Sequence, residues 1–352
     1  MPALLQASRV TKVFGGGVFD QGATTAVRDI SLTIDNEPAR ITAVVGETGS
    51  GKTTLGRLLL GLISPTEGEV RYKGTDLRRL SGGQRRAFLQ DVQVIFQDPY
   101  EVYNPFYTVD HVLETPIARF GLARSRKEAR ELIESTLATV GLRPEETLGR
   151  HPHELSGGQR QRVMIGRALL VRPKLMIADE PVSMLDASLR ATILQTLRQL
   201  NRELGISIVY ITHDLTTAYK ISHNMIVLYR GGVAEVGDVG RVVQQPGHPY
   251  TQLLVRSVPL PNPDRPWGAE PEAADGRRSV TARSCAFVDR CPFAEPICEE
   301  RPPPLFRTEP DQASACYLHR EAPVLNPEDM DQVLAAGRRR PVRVASQSDV
   351  TH

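Results

Sequence analysis

Residues 46–53 read Gly46-Glu47-Thr48-Gly49-Ser50-Gly51-Lys52-Thr53 and fit G-x-x-x-x-G-K-[ST] at every fixed position. An apolar run, Ile41 to Val45, leads into the stretch, and an apolar-rich segment, Leu55 to Leu62, follows it. That is a strand–loop–helix context, which lifts the pattern above an ordinary glycine-rich turn. The glycines let the backbone wrap around phosphates, so that amide N–H groups and the helix N-terminus point at negative charge. Lys52 is expected to reach the β- and γ-phosphates and the Thr53 hydroxyl to hold Mg²⁺.

The bulk numbers bound the rest. The chain has 352 residues, enough for one large domain or two. Hydrophobic residues at 40% and charged residues at 24% describe a globular chain, and a net charge of +2 gives no basic signature for nucleic acid. No apolar run approaches the roughly 18 residues of a membrane-spanning helix, and Met1–Gln6 lacks the basic and apolar regions of a secretory signal. A cytoplasmic protein is expected. The cysteines, Cys285, Cys291, Cys298 and Cys316, all lie near the C-terminus, a clustering that favours metal over disulfides in a reducing compartment.

In chain order, residues 3–35 alternate apolar and polar and predict two antiparallel strands. Phe14, upstream of the phosphate loop, is either an adenine-stacking ring or a core aromatic. Leu80-Ser81-Gly82-Gly83-Gln84-Arg85-Arg86 nearly duplicates the later Leu155-Ser156-Gly157-Gly158-Gln159-Arg160-Gln161-Arg162. The first copy is read as a polar surface segment, because it runs into the expected strand Val92–Phe96. The second precedes a helix through Leu170, and its N-terminus offers a second phosphate site. One chain does not need two such sites; a head-to-tail pair of chains does.

Gln97 follows a strand, where a glutamine either ligates Mg²⁺ and orients water or simply ends the strand. Residues 98–165 interrupt the α/β pattern as a helical subdomain. Lys174–Pro181 is a buried strand with Asp179 and Glu180 at its C-terminal end, where open α/β sheets place ligands. Asp179 is expected to serve Mg²⁺ through water and Glu180 to polarise an attacking water. Asp186 sits in the turn before a helix over Ala187–Leu204. The strand Ile206–Ile211 leads to His213, placed to hydrogen-bond a γ-phosphate. Residues 259–280 read as a linker, 281–325 as the cysteine segment and 326–352 as a polar, poorly ordered tail.

The ordered set of phosphate loop, Gln97, Leu155–Gln159, Asp179–Glu180, Asp186 and His213 resembles the ATP-binding cassette (ABC) ATPases over about residues 5–258. The resemblance implies an α/β P-loop NTPase cassette: a RecA-like core, an antiparallel β subdomain and a helical subdomain, here with a small Cys-rich C-terminal extension. It also implies two cassettes head to tail with two ATP molecules between them. Gly46 to Thr53 with Thr54 become the Walker A loop around ATP and Mg²⁺, and Gln97 becomes the Q-loop residue. Ser156, Gly157, Gly158 and Gln159 become the signature that caps the partner's ATP. Asp179 and Glu180 are the Walker B pair, Asp186 the D-loop residue and His213 the switch histidine.

Further details are similar to the ATPase subunits of oligopeptide and dipeptide importers: Gln97-Asp98-Pro99 with Asn104-Pro105, His153 to Arg162, His248-Pro249-Tyr250-Thr251, and the segment from Cys285 to Cys316. That family implies a peripheral subunit on the cytoplasmic face of the membrane. It implies a second, usually different ATPase subunit, two permeases and an extracytoplasmic solute-binding protein. The cysteine spacing, C-x5-C-x6-C-x17-C, is not that of a zinc ribbon and leaves zinc and an iron–sulfur cluster open; the family resemblance implies a [4Fe–4S] cluster. The alternative reading is a soluble, non-transport ABC ATPase acting in translation or DNA maintenance.

Overall fold

The computed structural model describes residues 3–15, 22–35, 37–98, 103–258, 280–281 and 283–337. The expected linker at 259–280 lies almost wholly outside these residues. The chain opens with β1 (Leu5–Phe14) and β2 (Thr24–Ile34), which pair antiparallel. Then come β3 (Ile41–Val45), the phosphate loop, α1 (Lys52–Leu59), β4 (Glu67–Tyr72) and β5 (Thr75–Asp76). An antiparallel sheet of order β2-β1-β4-β5 results.

α2 (Gly82–Asp91) leads into β6 (Val92–Ile95). A helical insertion follows, made of α3 (Val109–Phe120), α4 (Arg126–Thr139), α5 (Pro144–Thr147) and α6 (Gly157–Leu169). The chain then returns through β7 (Leu175–Asp179), α7 (Ala187–Leu204), β8 (Ser207–Thr212), α8 (Leu215–Ile221), β9 (Asn224–Tyr229) and β10 (Gly232–Asp238). Strands β6, β7, β8, β3 and β9 lie side by side and parallel. They are mostly apolar because both faces are covered. Successive side chains go to opposite faces: Met176 and Ala178 pack with the helical insertion, Leu175 and Ile177 with α1 and the antiparallel sheet.

After α9 (Val239–Gln244) and α10 (Pro249–Arg256), the C-terminal part forms α11 (Pro296–Glu300), β11 (Leu305–Glu309), β12 (Gln312–Ser314), β13 (Val324–Leu325) and α12 (Met330–Ala336). β12 pairs with β10, so this segment widens the main sheet to the order β13-β11-β12-β10-β9-β3-β8-β7-β6. The join is polar and satisfied: the fully buried Glu235 carboxylate accepts from the Gly247 and His248 N–H groups and from Gln312 Nε2.

Two sequence readings need correction. The Ser81 copy lies at the surface as expected, but it opens a helix directly. Ser81 caps α2 with the same reciprocal Ser–Gln box that Ser156 gives α6. Only the burial differs: α2 buries Phe88 alone, whereas α6 buries Val163, Met164 and Ile165 among others. Residues 326–337, expected to be part of a polar tail, are structured. Met330, Val333 and Leu334 fall at i, i+3 and i+4 and bury one face of α12 in the core. Arg40 and the Asn224 amide donate to the carbonyl oxygens that end that helix. Met330→Ala should therefore cost about 2–5 kcal/mol, as for other buried Met truncations. A urea titration checks this; a wild-type midpoint would show that α12 contributes nothing to the core.

Candidate nucleotide site

The phosphate loop runs from the C-terminal end of β3 into α1 and fits its place only because two residues lack a Cβ. A Cβ on Gly46 would lie 2.2 Å from the Leu228 carbonyl oxygen, and one on Gly51 2.2 Å from that of Ala26. Gly51 also has φ 102°, a left-handed conformation that glycine tolerates. The loop leaves Thr48 and Gly49 exposed and folds Lys52 inward. Lys52 Nζ donates to the carbonyl oxygens of Gly46 and Glu47, both at 2.8 Å. Burial lowers the Lys52 pKa, and the charges of Glu180 and Asp179 pull the other way. An ammonium held by carbonyls rather than by a tight ion pair keeps its charge available to an anion. The buried Ser50 Oγ makes no hydrogen bond.

Asp179 ends β7 one strand from β8, and Glu180 follows. Thr53 Oγ1 lies 3.4 Å from Asp179 Oδ1. This hydroxyl–carboxylate pair beside a phosphate loop suits Mg²⁺, which prefers one or two protein oxygens plus phosphate and water. Burial pushes the Asp179 carboxyl up, and the Thr53 hydrogen bond opposes this. Glu180 takes a left-handed backbone at φ 45°, strain of a kind that gathers at functional sites. Its N–H is tied to the Ile211 carbonyl of β8 at 2.9 Å. The conformation turns its side chain to His213, with Nδ1 and Oε1 3.0 Å apart. His213 is fixed between the end of β8 and α8, whose cap Asp214 accepts from the Thr216 and Thr217 N–H groups.

The other expected residues divide. Gln97 is exposed two residues beyond β6, whose Ile95 pairs with Ala178, so it stands at the same sheet edge as Asp179. Phe14 ends β1 half-exposed, with Lys12 Nζ 5.2 Å from the ring centroid. Ser156 is exposed and caps its own helix: its Oγ accepts from Gln159 N at 3.2 Å, and Gln159 Oε1 accepts from Ser156 N at 2.8 Å. Gly157 and Gly158 open the same helix. Asp186, also exposed, caps α7 by accepting from Leu189 N. Among the described residues, neither the Ser156–Gln159 group nor Asp186 is hydrogen-bonded to the chain's own phosphate loop.

Sequence reasoning missed two residues on that loop. Tyr250 Oη accepts from Glu47 N–H at 2.8 Å, and the Arg290 guanidinium grips the Glu47 carboxylate with two bonds of 2.9 and 3.0 Å. Tyr250 and Arg290 both lie in stretches that carry only the family likeness, and nothing local in either points to the phosphate loop.

The iron–sulfur expectation is corrected, and with it zinc at the same residues. The four cysteines do line one cavity of about 20 Å³, with Phe287 and Tyr317, and none is disulfide-bonded. However, among the described residues no group of three or more His, Cys, Asp or Glu side chains is arranged to hold a metal ion. Burial pushes the Cys285 thiol up to about 11 and Cys316 up to about 12. The site is a thiol-lined apolar pocket.

A phosphate loop, an acidic pair and a Glu–His contact on one sheet edge, beside a helical insertion, define an ATPase of the ATP-binding cassette class. A family model described as ABC transporter matches residues 27–183, and one described as oligopeptide/dipeptide transporter, C-terminal region, matches residues 234–298. The putative oligopeptide transport ATP-binding protein YkfD of Bacillus subtilis is 39% identical over 316 residues, covering 86% of this chain and 93% of the relative. The oligopeptide transport ATP-binding protein OppF of Escherichia coli is 40% identical over 265 residues, covering 74% and 79%. Among solved structures, a dimeric post-hydrolysis state of the cassette MJ0796 bound to ADP and Pi aligns with a TM-score of 0.59 and 30% identity, covering 67% of this chain and 98% of that one. The chain belongs to the ABC transporter ATPases, in the family of the oligopeptide transport ATP-binding proteins. It binds ATP with Mg²⁺ and hydrolyses it. No helix among the described residues is long and apolar enough to cross a membrane.

Gly51→Ala is expected to abolish ATP binding, because the added Cβ meets backbone rather than a movable side chain. Equilibrium binding of a fluorescent ATP analogue measures this; wild-type affinity would contradict the loop geometry.

Proposed function

We propose that the chain is the ATP-hydrolysing subunit that energises an ABC importer for di- or oligopeptides or related small solutes, at the cytoplasmic face of the membrane. The observation that carries this reading is the division of the nucleotide machinery. Lys52, Thr53, Asp179, Glu180 and His213 gather at one sheet edge, while Ser156 is exposed and pairs with Gln159 to satisfy its own helix end. A site divided in this way is completed by a second cassette packed head to tail, which in this family is usually a different subunit. The relatives named for oligopeptide transport favour import over a role in translation or DNA maintenance.

In this reading the Gly46–Thr54 backbone and Lys52 bind the phosphates, and Thr53, with Gln97 and Asp179 through water, holds Mg²⁺, which neutralises phosphate charge when bound. Phe14 stacks on the adenine. Glu180 orients the attacking water and accepts its proton, and His213 holds Glu180 in place beside the γ-phosphate. Ser156, Gly157, Gly158, Gln159 and Asp186 serve the partner's nucleotide. Catalysis is positioning and electrostatics without a covalent intermediate. Two permeases dock on the helical subdomain, where Phe106 is 86% exposed and Tyr107 half-exposed, and a solute-binding protein delivers the substrate.

Glu180→Gln should bind ATP as the wild type does and lose about 10²-fold or more in turnover, the range set by losing a positioned general base. Near-normal phosphate release by this variant would remove Glu180 from the role. Pull-down of the tagged chain from native membranes tests the assembly: multi-span permeases and a second cassette support it, and ribosomes or DNA without permeases contradict it.

A further inference from the structure

We propose that Arg290 is a positioning residue for ATP binding: by pairing with Glu47 it holds that carboxylate away from the mouth of the phosphate loop and cancels its charge. The proposal rests on the ATPase reading of that loop and concerns how the C-terminal segment tunes it.

Glu47 is the second residue of a loop built to receive a polyanion, yet it carries a negative charge. Three contacts fix it. Its N–H is spent on Tyr250 Oη, its carbonyl oxygen accepts from Lys52 Nζ, and its carboxylate is gripped by Arg290, 243 residues away in sequence. Arg290 is itself held. Nη1 lies 3.4 Å from Tyr229 Oη, and the guanidinium lies over the rings of Tyr229 and Phe287, 5.9 and 5.6 Å from their centroids. Tyr229, Tyr250 and Phe287 pack against one another with centroids 4.3 to 5.6 Å apart. A second tether lies beside the first: Arg230, just past β9, donates to the Ala286 carbonyl and pairs with Asp289 at 2.9 Å. The turn carrying Arg290 is thus braced on the strand end that flanks the loop, and a bidentate Arg–carboxylate pair fixes orientation as well as charge.

The physical consequence has a sign. Without Arg290, Glu47 is an unpaired carboxylate next to the site of an incoming polyphosphate, and like charges repel. Without Glu47 as well, that repulsion vanishes. A purely structural brace would behave otherwise, because removing both partners would restore nothing.

The test is equilibrium binding of trinitrophenyl-ATP to the full-length wild type, Arg290→Ala, Arg290→Lys, Glu47→Gln and the Glu47→Gln/Arg290→Ala double variant, at low and high salt. Each protein's thermal midpoint is measured in parallel, with steady-state ATPase kinetics. The pair is half-exposed, so Arg290→Ala should weaken binding about fivefold at low salt. The loss should shrink as salt screens the repulsion and should fall on KM rather than kcat. The double variant should recover most of the affinity, and Arg290→Lys should lose less than Arg290→Ala. If Arg290→Ala does not fold, Arg290→Lys and the double variant carry the same comparison. Unchanged affinity in Arg290→Ala, a loss independent of salt, or a double variant no better than Arg290→Ala would overturn the proposal while leaving the ATPase reading intact. A wild type that binds no nucleotide would overturn both.

Discussion

Two absent Cβ atoms govern this structure. The phosphate loop threads between the Leu228 carbonyl on one side and the Ala26 carbonyl on the other, and only glycine at positions 46 and 51 lets it pass. That passage ties together β3, β9 and the antiparallel sheet through β2. It also turns Lys52 inward, where its ammonium rests on the loop's own carbonyls. Everything with chemistry in it is then placed by the parallel sheet. β7 brings Asp179 to Thr53, and β8 brings His213 to Glu180. Both faces of the sheet are covered, and polar groups converge at its C-terminal edge, where open α/β sheets place their ligands.

The C-terminal segment is less an appendage than a continuation of that sheet. β12 pairs with β10 around the buried Glu235, α12 closes over the antiparallel side of the core, and the turn near Arg290 returns to the phosphate loop. The thiol-lined pocket lies behind that turn, among Phe287, His248 and Tyr317. With no metal-binding arrangement among the described residues, the pocket belongs to packing. Burial lowers the His248 pKa to about 3, so it packs there as a neutral ring.

Much of this was legible in the sequence because it is written locally. The phosphate loop has fixed spacing, the buried parallel strands are apolar runs, and the acidic pair and the histidine sit where such runs stop. The limits of local reading show in the two Leu-Ser-Gly-Gly-Gln copies. Both form the same capped helix start, and only the apolar face of α6, buried against α3, α4 and β6, separates them. Short polar strands such as β12 carry no pattern of their own, because their partner's edge decides them. The Arg290–Glu47 contact spans the chain and is invisible to spacing. α12 is different: Met330, Val333 and Leu334 repeat at helical spacing, a signal only two turns long inside a segment of polar composition. The four cysteines come together around one cavity, as their clustering suggests, but spacing along the chain does not set the geometry that a metal needs.

In the proposed assembly the nucleotide site is shared, with Lys52 and Glu180 from one chain and Ser156 from another. The most direct measurement is ATP binding and ATP turnover by Ser156→Arg, side by side in the assembled complex. The account predicts that each chain still binds ATP at its own loop with wild-type affinity while hydrolysis is lost. Wild-type turnover would contradict it, and loss of binding by the isolated variant would place Ser156 in its own chain's site instead.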